Sequence, residues 1–398
     1  MNAPAELRGR GQLATAFALT RARTVALAAP LSEEDACVQS MPDTSPAKWH
    51  LAHTTWFFET FLLERFETDF QPHHPAFRVL FNSYYNGVGE KHARAQRGMI
   101  TRPSLSEVLA YRAAVDARVT TLLEAPSPEL TALVHLGLQH EQQHQELLLT
   151  DLKHLLSQNP LHPVYANDAT LPPARRSSPG WHRIAAGTVE IGVDDDGFCF
   201  DNERPRHRQF VESFALATTL VTNADYLAFI DADGYGDAAL WLSEGWDWVR
   251  NNAITQPLYW HRAETGWHEF TLRGLQPLDL QRPVIHLSYF EADAYARWAG
   301  ARLPTEAQWE SAVQSASPDT FDDLFDACWQ WTASSYAPYP GFATADGALG
   351  EYNGKFMVNQ YVLRGGSCVT PEGHARATYR NFFPATARWQ FTGVRLAQ

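Results

Sequence analysis

From about residue 10 to residue 156, apolar side chains return every three to four positions, the period of a helix with one buried face. Leu13, Ala16 and Phe17 lead on to Val25, and further runs of this kind cover about 45–66, 105–124 and 129–156. Asp43-Thr44-Ser45-Pro46 reads as a helix start, with a capping side chain followed by proline. Ser104 and Glu107 have the spacing of a capping box that opens the next helix. Four helices joined by connections of uneven length predict an up-and-down bundle.

The pattern then changes. Ser157-Gln158-Asn159-Pro160, Pro163, Pro172-Pro173 and Ser177–Gly180 have turn and linker composition. Beyond them Gly, Trp and Tyr are frequent and strands are short, with helical patches at Asn223–Asp231 and Tyr289–Gly300. The expected organisation is a helical domain over 1–160, a linker over 161–180 and an α+β domain over 181–398.

Composition narrows the function classes. A chain of 398 residues with 45% hydrophobic and 19% charged residues is ordinary globular material. No stretch reaches the roughly 18–20 uninterrupted apolar residues of a membrane helix. Arg8, Arg10, Arg21 and Arg23 interrupt the early part of the chain, so a cytoplasmic location is expected. A net charge of −13 argues against a nucleic-acid partner. Cys37, Cys199, Cys328 and Cys368 form no CxxC pair and read as buried free thiols.

The chemistry concentrates in His140-Glu141-Gln142-Gln143-His144. Histidines four apart project from one helix face, and here they share a stripe with Leu133, Leu136, Leu147 and Asp151. Buried imidazoles need partners, which a shared metal ion or other core groups can supply. A second run, Trp49-His50-Leu51-Ala52-His53, places His53 on a core-facing stripe with Trp56 and Phe57, whereas His50 reads as a rim residue. One histidine facing such a pair offers three neutral donors and leaves coordination positions open. The same five residues match the H-E-x-x-H helix of zinc metallohydrolases, with Glu141 as general base.

Two further segments carry polar chemistry. Phe81–Gly98 holds the pair Tyr84 and Tyr85 and two arginines three apart, Arg94 and Arg97. Arginine forks grip carboxylates, and a phenol near a metal can donate a proton. The C-terminal stretch runs from Tyr361-Val362-Leu363-Arg364-Gly365-Gly366-Ser367 through Tyr379-Arg380-Asn381-Phe382-Phe383 to Gly393-Val394-Arg395-Leu396. Together with Arg302–Glu310 it resembles the formylglycine-generating (sulfatase-modifying) fold, a C-type-lectin-like architecture. A DinB-like four-helix bundle joined to that fold resembles the ergothioneine-biosynthesis sulfoxide synthases, over about residues 20–397.

That resemblance implies a non-haem iron(II) enzyme that uses O2 to join a thiol sulfur to the imidazole of N-α-trimethylhistidine (hercynine), giving a sulfoxide. It implies His53, His140 and His144 as iron ligands and Gln143 and Asn381 as contacts to hercynine. Arg94 and Arg97 would hold the carboxylate of the thiol substrate, and Phe382 and Phe383 would line a pocket for the cationic trimethylammonium group. Members that use γ-glutamylcysteine have a tyrosine where this chain has Leu349, three residues before Tyr352, and an acidic residue where it has Phe383. Tyr84 and Tyr85 match a subgroup that accepts free cysteine, so L-cysteine is the expected thiol and one of these tyrosines the expected proton donor. Tyr352 is a further candidate near the trimethylammonium group. Alternatives are γ-glutamylcysteine as thiol, selenoneine- or ovothiol-type coupling, and a DinB-type zinc hydrolase or thiol transferase. Formylglycine generation itself is not expected, because Cys368 stands alone after the RGGS-like run. Arg364–Ser367, Arg302–Glu310, Trp309, Trp329 and Trp331 are expected to serve the fold.

Overall fold

The structure, a computed structural model, describes residues 5–194, 197–344, 350 and 353–398. Leu349 and Tyr352 lie outside the described residues. Two compact units are present, one within Met1–Leu161 and the other within His162–Ala345 and Asn353–Gln398. Among the described residues no helix is long and apolar enough to cross a membrane.

The first unit is built on four long helices: α1 (Ala5–Ala28), α2 (Ala47–Phe58), α3 (Leu105–Leu122) and α4 (Pro128–Ser157). The expected capping box closes at α3, where the Ser104 hydroxyl accepts from Glu107 N–H at 3.2 Å and the Glu107 carboxylate accepts from Ser104 N–H at 2.7 Å. At α4, Ser127 caps Leu130 N–H at 3.1 Å and Pro128 takes the first helical position, where its missing N–H costs nothing. The start of α2 differs from expectation. Pro46 is the capping residue and no side chain caps the helix. Ser45 is drawn elsewhere, its N–H donating to Asp151 and its hydroxyl accepting from Arg97.

Helix α2 is the axis of this unit. Every residue from Ala47 to Phe58 is buried, so the helix has no solvent face and no rim. It packs against α3 on one side and α4 on the other, while α1 lies along α4. Gly137 makes the α2–α4 approach possible: a Cβ there would stand 2.7 Å from the Phe58 ring and 3.2 Å from that of Phe57. Glycine in a helix normally costs about 1 kcal/mol relative to alanine. Here it lets the two histidine-bearing turns meet, one turn before His140.

Among the described residues the second unit has four small sheets. Strands β1 (Trp181–Ile184) and β4 (Phe214–Ala217) pair antiparallel, as do β2 (Gly187–Ile191) and β3 (His207–Val211). A meander joins β5 (Trp260–Ala263), β6 (Gly266–Thr271) and β7 (Gly274–Pro277). The fourth sheet runs β10-β9-β8-β11, from β8 (Cys328–Ser335), β9 (Tyr361–Gly366), β10 (Asn381–Phe383) and β11 (Thr392–Gly393). Its helices include α5 (Asn223–Asp231), α6 (Ser243–Asn251), α7 (Tyr289–Trp298) and α8 (Glu306–Ser315). The proline-rich approach to β1 is pinned along this unit, with Tyr165 N–H on Leu272 O at 3.0 Å and Arg175 N–H on Gln281 O at 2.8 Å.

Most residues of the motifs assigned to the fold are buried in it. Trp309, Trp329 and Trp331 are almost wholly enclosed, and the Trp309 ring N–H donates to Gln330 Oε1 at 2.7 Å. Arg364 reaches Glu306 at 3.0 Å and Glu310 at 2.9 Å, while Arg380 grips Glu306 at 2.9 Å. Of the four free thiols only Cys328 is buried. Cys37, Cys199 and Cys368 are partly exposed, which corrects the expectation for those three.

Candidate metal centre

Helices α2 and α4 bring three imidazoles to one point. His53, His140 and His144 each offer one donor atom, and these atoms lie within 4.8 Å of one another. His53 Nε2 stands 3.2 Å from His140 Nε2. Neither ring is bathed in water: His53 and His140 are essentially fully buried and His144 nearly so. Trp49 stacks on His53 with centroids 4.5 Å apart and Trp56 does so from 5.5 Å, while Phe57 lies against His140 at 4.6 Å. Stacking of this kind holds a ring in one orientation.

Burial also keeps these rings neutral. It pushes His140 down to about 3, against the opposing pull of the Glu141 charge. His53 and His144 fall well below the ordinary histidine value, through burial first and then through neighbouring histidines. Neutral imidazoles present lone pairs, and three of them converging without a carboxylate or thiolate suit a divalent transition metal with open positions. His53 Nδ1–H donates to Phe81 O at 2.6 Å, which commits Nε2 to the lone pair.

His50 is not at a rim. It is 2% exposed, with Nδ1 at 2.9 Å from His144 Nδ1 and Nε2 at 3.1 Å from Asp151 Oδ2. Helical periodicity alone missed this because it assumed that α2 had a solvent side. The useful signal was the Asp151 position on the histidine stripe of α4.

The loop residues separate. Arg97 is buried, with its guanidinium 3.4 Å from the centre of the Trp49 ring and Nη1 donating to Ser45 Oγ at 2.9 Å. Burial first, then the Arg94 charge, lowers it to about 9. Arg94 is exposed, with its guanidinium on the Asp43 carbonyl. Tyr84 is half-buried and interacts electrostatically with Arg97. Tyr85 is fully buried among Trp56, Phe57 and Phe61, and the two tyrosine rings lie 4.8 Å apart. Asn82 shapes their turn, accepting from Tyr85 N–H at 3.2 Å and donating to Tyr85 O at 3.0 Å. Gln143 is half-buried on α4. Asn381, Phe382 and Phe383 belong to the second unit as β10, where Phe382 stacks on Tyr336 at 4.1 Å.

Comparison with known proteins matches both halves of the chain. Residues 16–148 fit the DinB superfamily, and residues 167–322 fit the sulfatase-modifying factor enzyme 1-like domain. A hercynine oxygenase from Mycobacterium tuberculosis is 32% identical, with the match covering 97% of this chain and 98% of that protein. This chain belongs to the hercynine oxygenase family. The Mycolicibacterium smegmatis hercynine oxygenase is 29% identical over 98% of this chain and 99% of that one. Ergothioneine biosynthesis protein 1 from Schizosaccharomyces pombe is 25% identical over half of this chain and 28% of its own length.

Within this hercynine oxygenase family member the H-E-x-x-H spelling has a different meaning from the one it has in a hydrolase. Glu141 is wholly buried, and its hydrogen-bond partners come from α1 and α3. Arg21 Nη1 donates to it at 2.8 Å, Thr24 Oγ1 at 2.5 Å, and Arg112 Nη2 also donates. Burial would raise this carboxyl, but Arg112 and Arg21 outweigh it and hold it below the ordinary value. A carboxylate tied to two guanidinium groups is a poor proton acceptor. The zinc hydrolase alternative therefore loses its base.

Proposed function

We propose that this chain is an iron(II)- and O2-dependent sulfoxide synthase that joins the sulfur of L-cysteine to the imidazole carbon of hercynine. The product is hercynylcysteine sulfoxide, on the route to ergothioneine. The reaction balances: the thiol hydrogen and the ring C–H hydrogen leave with one oxygen atom as water, and the other oxygen stays on sulfur. One observation carries the reading. Three buried, neutral histidines converge within a chain whose hercynine oxygenase relatives match it over nearly its whole length.

His53, His140 and His144 would hold iron(II), which would supply open positions for the reactants and electrons for dioxygen. The remaining work belongs to the chain. Arg97 is a buried cation fixed by Trp49 and Ser45, and it pairs with the carboxylate of cysteine, with Arg94 as the outer arm. Its bidentate fork orients the thiol and not merely its charge. Gln143 and Asn381 hydrogen-bond hercynine, and Phe382 and Phe383 offer ring faces to the trimethylammonium cation. Tyr84, within the field of Arg97, or its buried neighbour Tyr85 delivers the proton to reduced oxygen. In this reading the metal ligands sit in a domain spanning 1–160 and the aromatic hercynine contacts in one spanning 181–398, linked by 161–180.

The deciding experiment is anaerobic loading with iron(II), followed by mass spectrometry of an aerobic reaction with hercynine and L-cysteine. Iron-dependent hercynylcysteine sulfoxide is the expected product. Coupling with γ-glutamylcysteine alone would replace the thiol, and coupling to unmethylated histidine would replace the acceptor. No coupling with any pair, together with stoichiometric zinc, would overturn the reading. Tyr84→Phe or Tyr85→Phe should divert turnover toward thiol dioxygenation to the sulfinate. An unchanged product ratio in both variants would remove the proton-donor role.

A further inference from the structure

Two of the converging histidines are held by quite different partners. His53 leans on a backbone carbonyl, that of Phe81, whereas His144 leans on another histidine. We propose that His50, backed by Asp151, is a positioning residue that fixes His144 with its Nε2 lone pair facing the metal. The inference rests on the metal-site reading above.

The direction of each hydrogen follows from the far end of the chain of contacts. Ser45 N–H can only donate, and it meets Asp151 Oδ2 at 2.8 Å. A carboxylate only accepts. His50 Nε2, 3.1 Å from the same oxygen, therefore carries the hydrogen of that contact. In a neutral ring this leaves the His50 lone pair on Nδ1. His144 Nδ1, at 2.9 Å, must then be the donor to it. The lone pair of His144 is left on Nε2, the nitrogen not engaged with His50. The opposite polarity would place a hydrogen on His144 Nε2 and remove it as a ligand.

The same geometry explains why His50 is not a fourth ligand, although it lies among the other three histidines. Both of its nitrogens are committed, one to His144 and one to Asp151. Water has little access to replace either contact, since His50 is 2% and Asp151 6% exposed. The anchor is itself braced, because Arg97 Nη1 donates to the hydroxyl of the same Ser45 whose N–H holds Asp151. Arg97 and the His144 support thus share one serine.

Two measurements test this. In the metal-free chain with 15N-labelled histidine, the one-bond and long-range couplings should report His50 as the Nε2–H tautomer and His144 as Nδ1–H. A His144 Nε2–H ring would overturn the proposal without any variant. The second is cobalt(II) titration of the wild type, His50→Asn and His50→Phe, followed by visible absorption. Asparagine offers its carbonyl oxygen near the place of Nδ1, so it can still accept from His144, whereas phenylalanine cannot. His50→Phe should lose on the order of 10–100-fold in affinity, the usual cost of an outer ligand partner. His50→Asn should recover most of that loss, with thermal midpoints of the metal-free proteins alike. Equal affinities in the two variants, or wild-type affinity in His50→Phe, would overturn it. Should His50→Phe fail to fold, the tautomers of the wild type decide alone. A wild type that binds no cobalt yet shows the stated tautomers would sink the metal reading and leave the ring assignment standing.

Discussion

On one side of α4 Glu141 keeps a full charge out of water, with Arg21, Arg112 and Thr24 around it. On the adjoining face His140 and His144 are also buried and stay neutral. Two cations share this carboxylate, and Arg21 also holds Asp116 at 2.6 Å. Burial alone would lower Arg21, yet Glu141 and Asp116 raise it, while burial and the Arg21 charge keep Arg112 below its ordinary value. That cluster is complete as it stands and ties α1, α3 and α4 together. The histidine side has ring nitrogens turned toward one another, an arrangement that suits a cation between them. Adjacent residues in one helix can therefore serve stability and chemistry separately, and the boundary between the two roles falls at one peptide bond.

The comparison is tested most severely on the histidine side. His53→Ala should abolish stoichiometric cobalt(II) or iron(II) binding, a loss well beyond the roughly 10–100-fold of an outer partner. Metal content after dialysis checks it, and retained stoichiometry would mean that the two sides do not differ as described. On the charged side, Glu141→Gln leaves the buried Arg112 guanidinium without its counter-ion and Arg21 with Asp116 alone, and should cost about 3–5 kcal/mol in urea unfolding. The folded fraction should still bind metal. A variant that was fully stable but chemically dead would restore Glu141 as a catalytic base.

Acid separates the two sides further. Each histidine held neutral in the folded chain takes up a proton only on unfolding, so the unfolded state binds more protons below about pH 6.5. Stability should fall with pH in that range by about 1.4 kcal/mol per unit for each such histidine. His140 continues to contribute down to about pH 3. Denaturant midpoints of the metal-free chain between pH 7.5 and 5 should show the slope, and His140→Leu should flatten it. The smallest effect is expected from Gly137→Ala. Overpacking against Phe58 costs about 1–3 kcal/mol and the gain in helix propensity returns about 1 kcal/mol. A modest net loss of thermal stability with weakened metal binding is the expected result.

Much of the first unit was readable because its signals are local. Ser104 and Glu107 are three apart, His140 and His144 four apart, and both rules live within a turn of helix. The three converging histidines followed from the same periodicity. What the sequence hid depends on distant partners. Arg21 and Arg112 reach Glu141 across 120 and 29 residues, and nothing near His140 announces them. Ser45 read as a cap because of the proline after it, but Asp151 and Arg97 compete for its polar groups and win. His50 was misplaced for a related reason: a period tells which residues share a face, and cannot tell that every face is covered. Arg94 and Arg97 looked equivalent three apart, yet only Arg97 is buried. In the second unit the irregular strands gave little periodicity, and α6 and α8 were not singled out beforehand.

The carbonyl of Phe81 has one property that no side chain has. Every residue type carries it, so substitution at position 81 cannot delete the group that orients His53. Only a change in chain length or in the path of the loop can. His144, by contrast, is supported through side chains at positions 50 and 151, each a codon change away from a different donor or none. In the proposed metal site, selection thus has one rigid ligand and one adjustable ligand to work with. Variation that retunes the centre without dismantling it should accumulate at 50 and 151, while position 81 drifts among residues that merely fill its space.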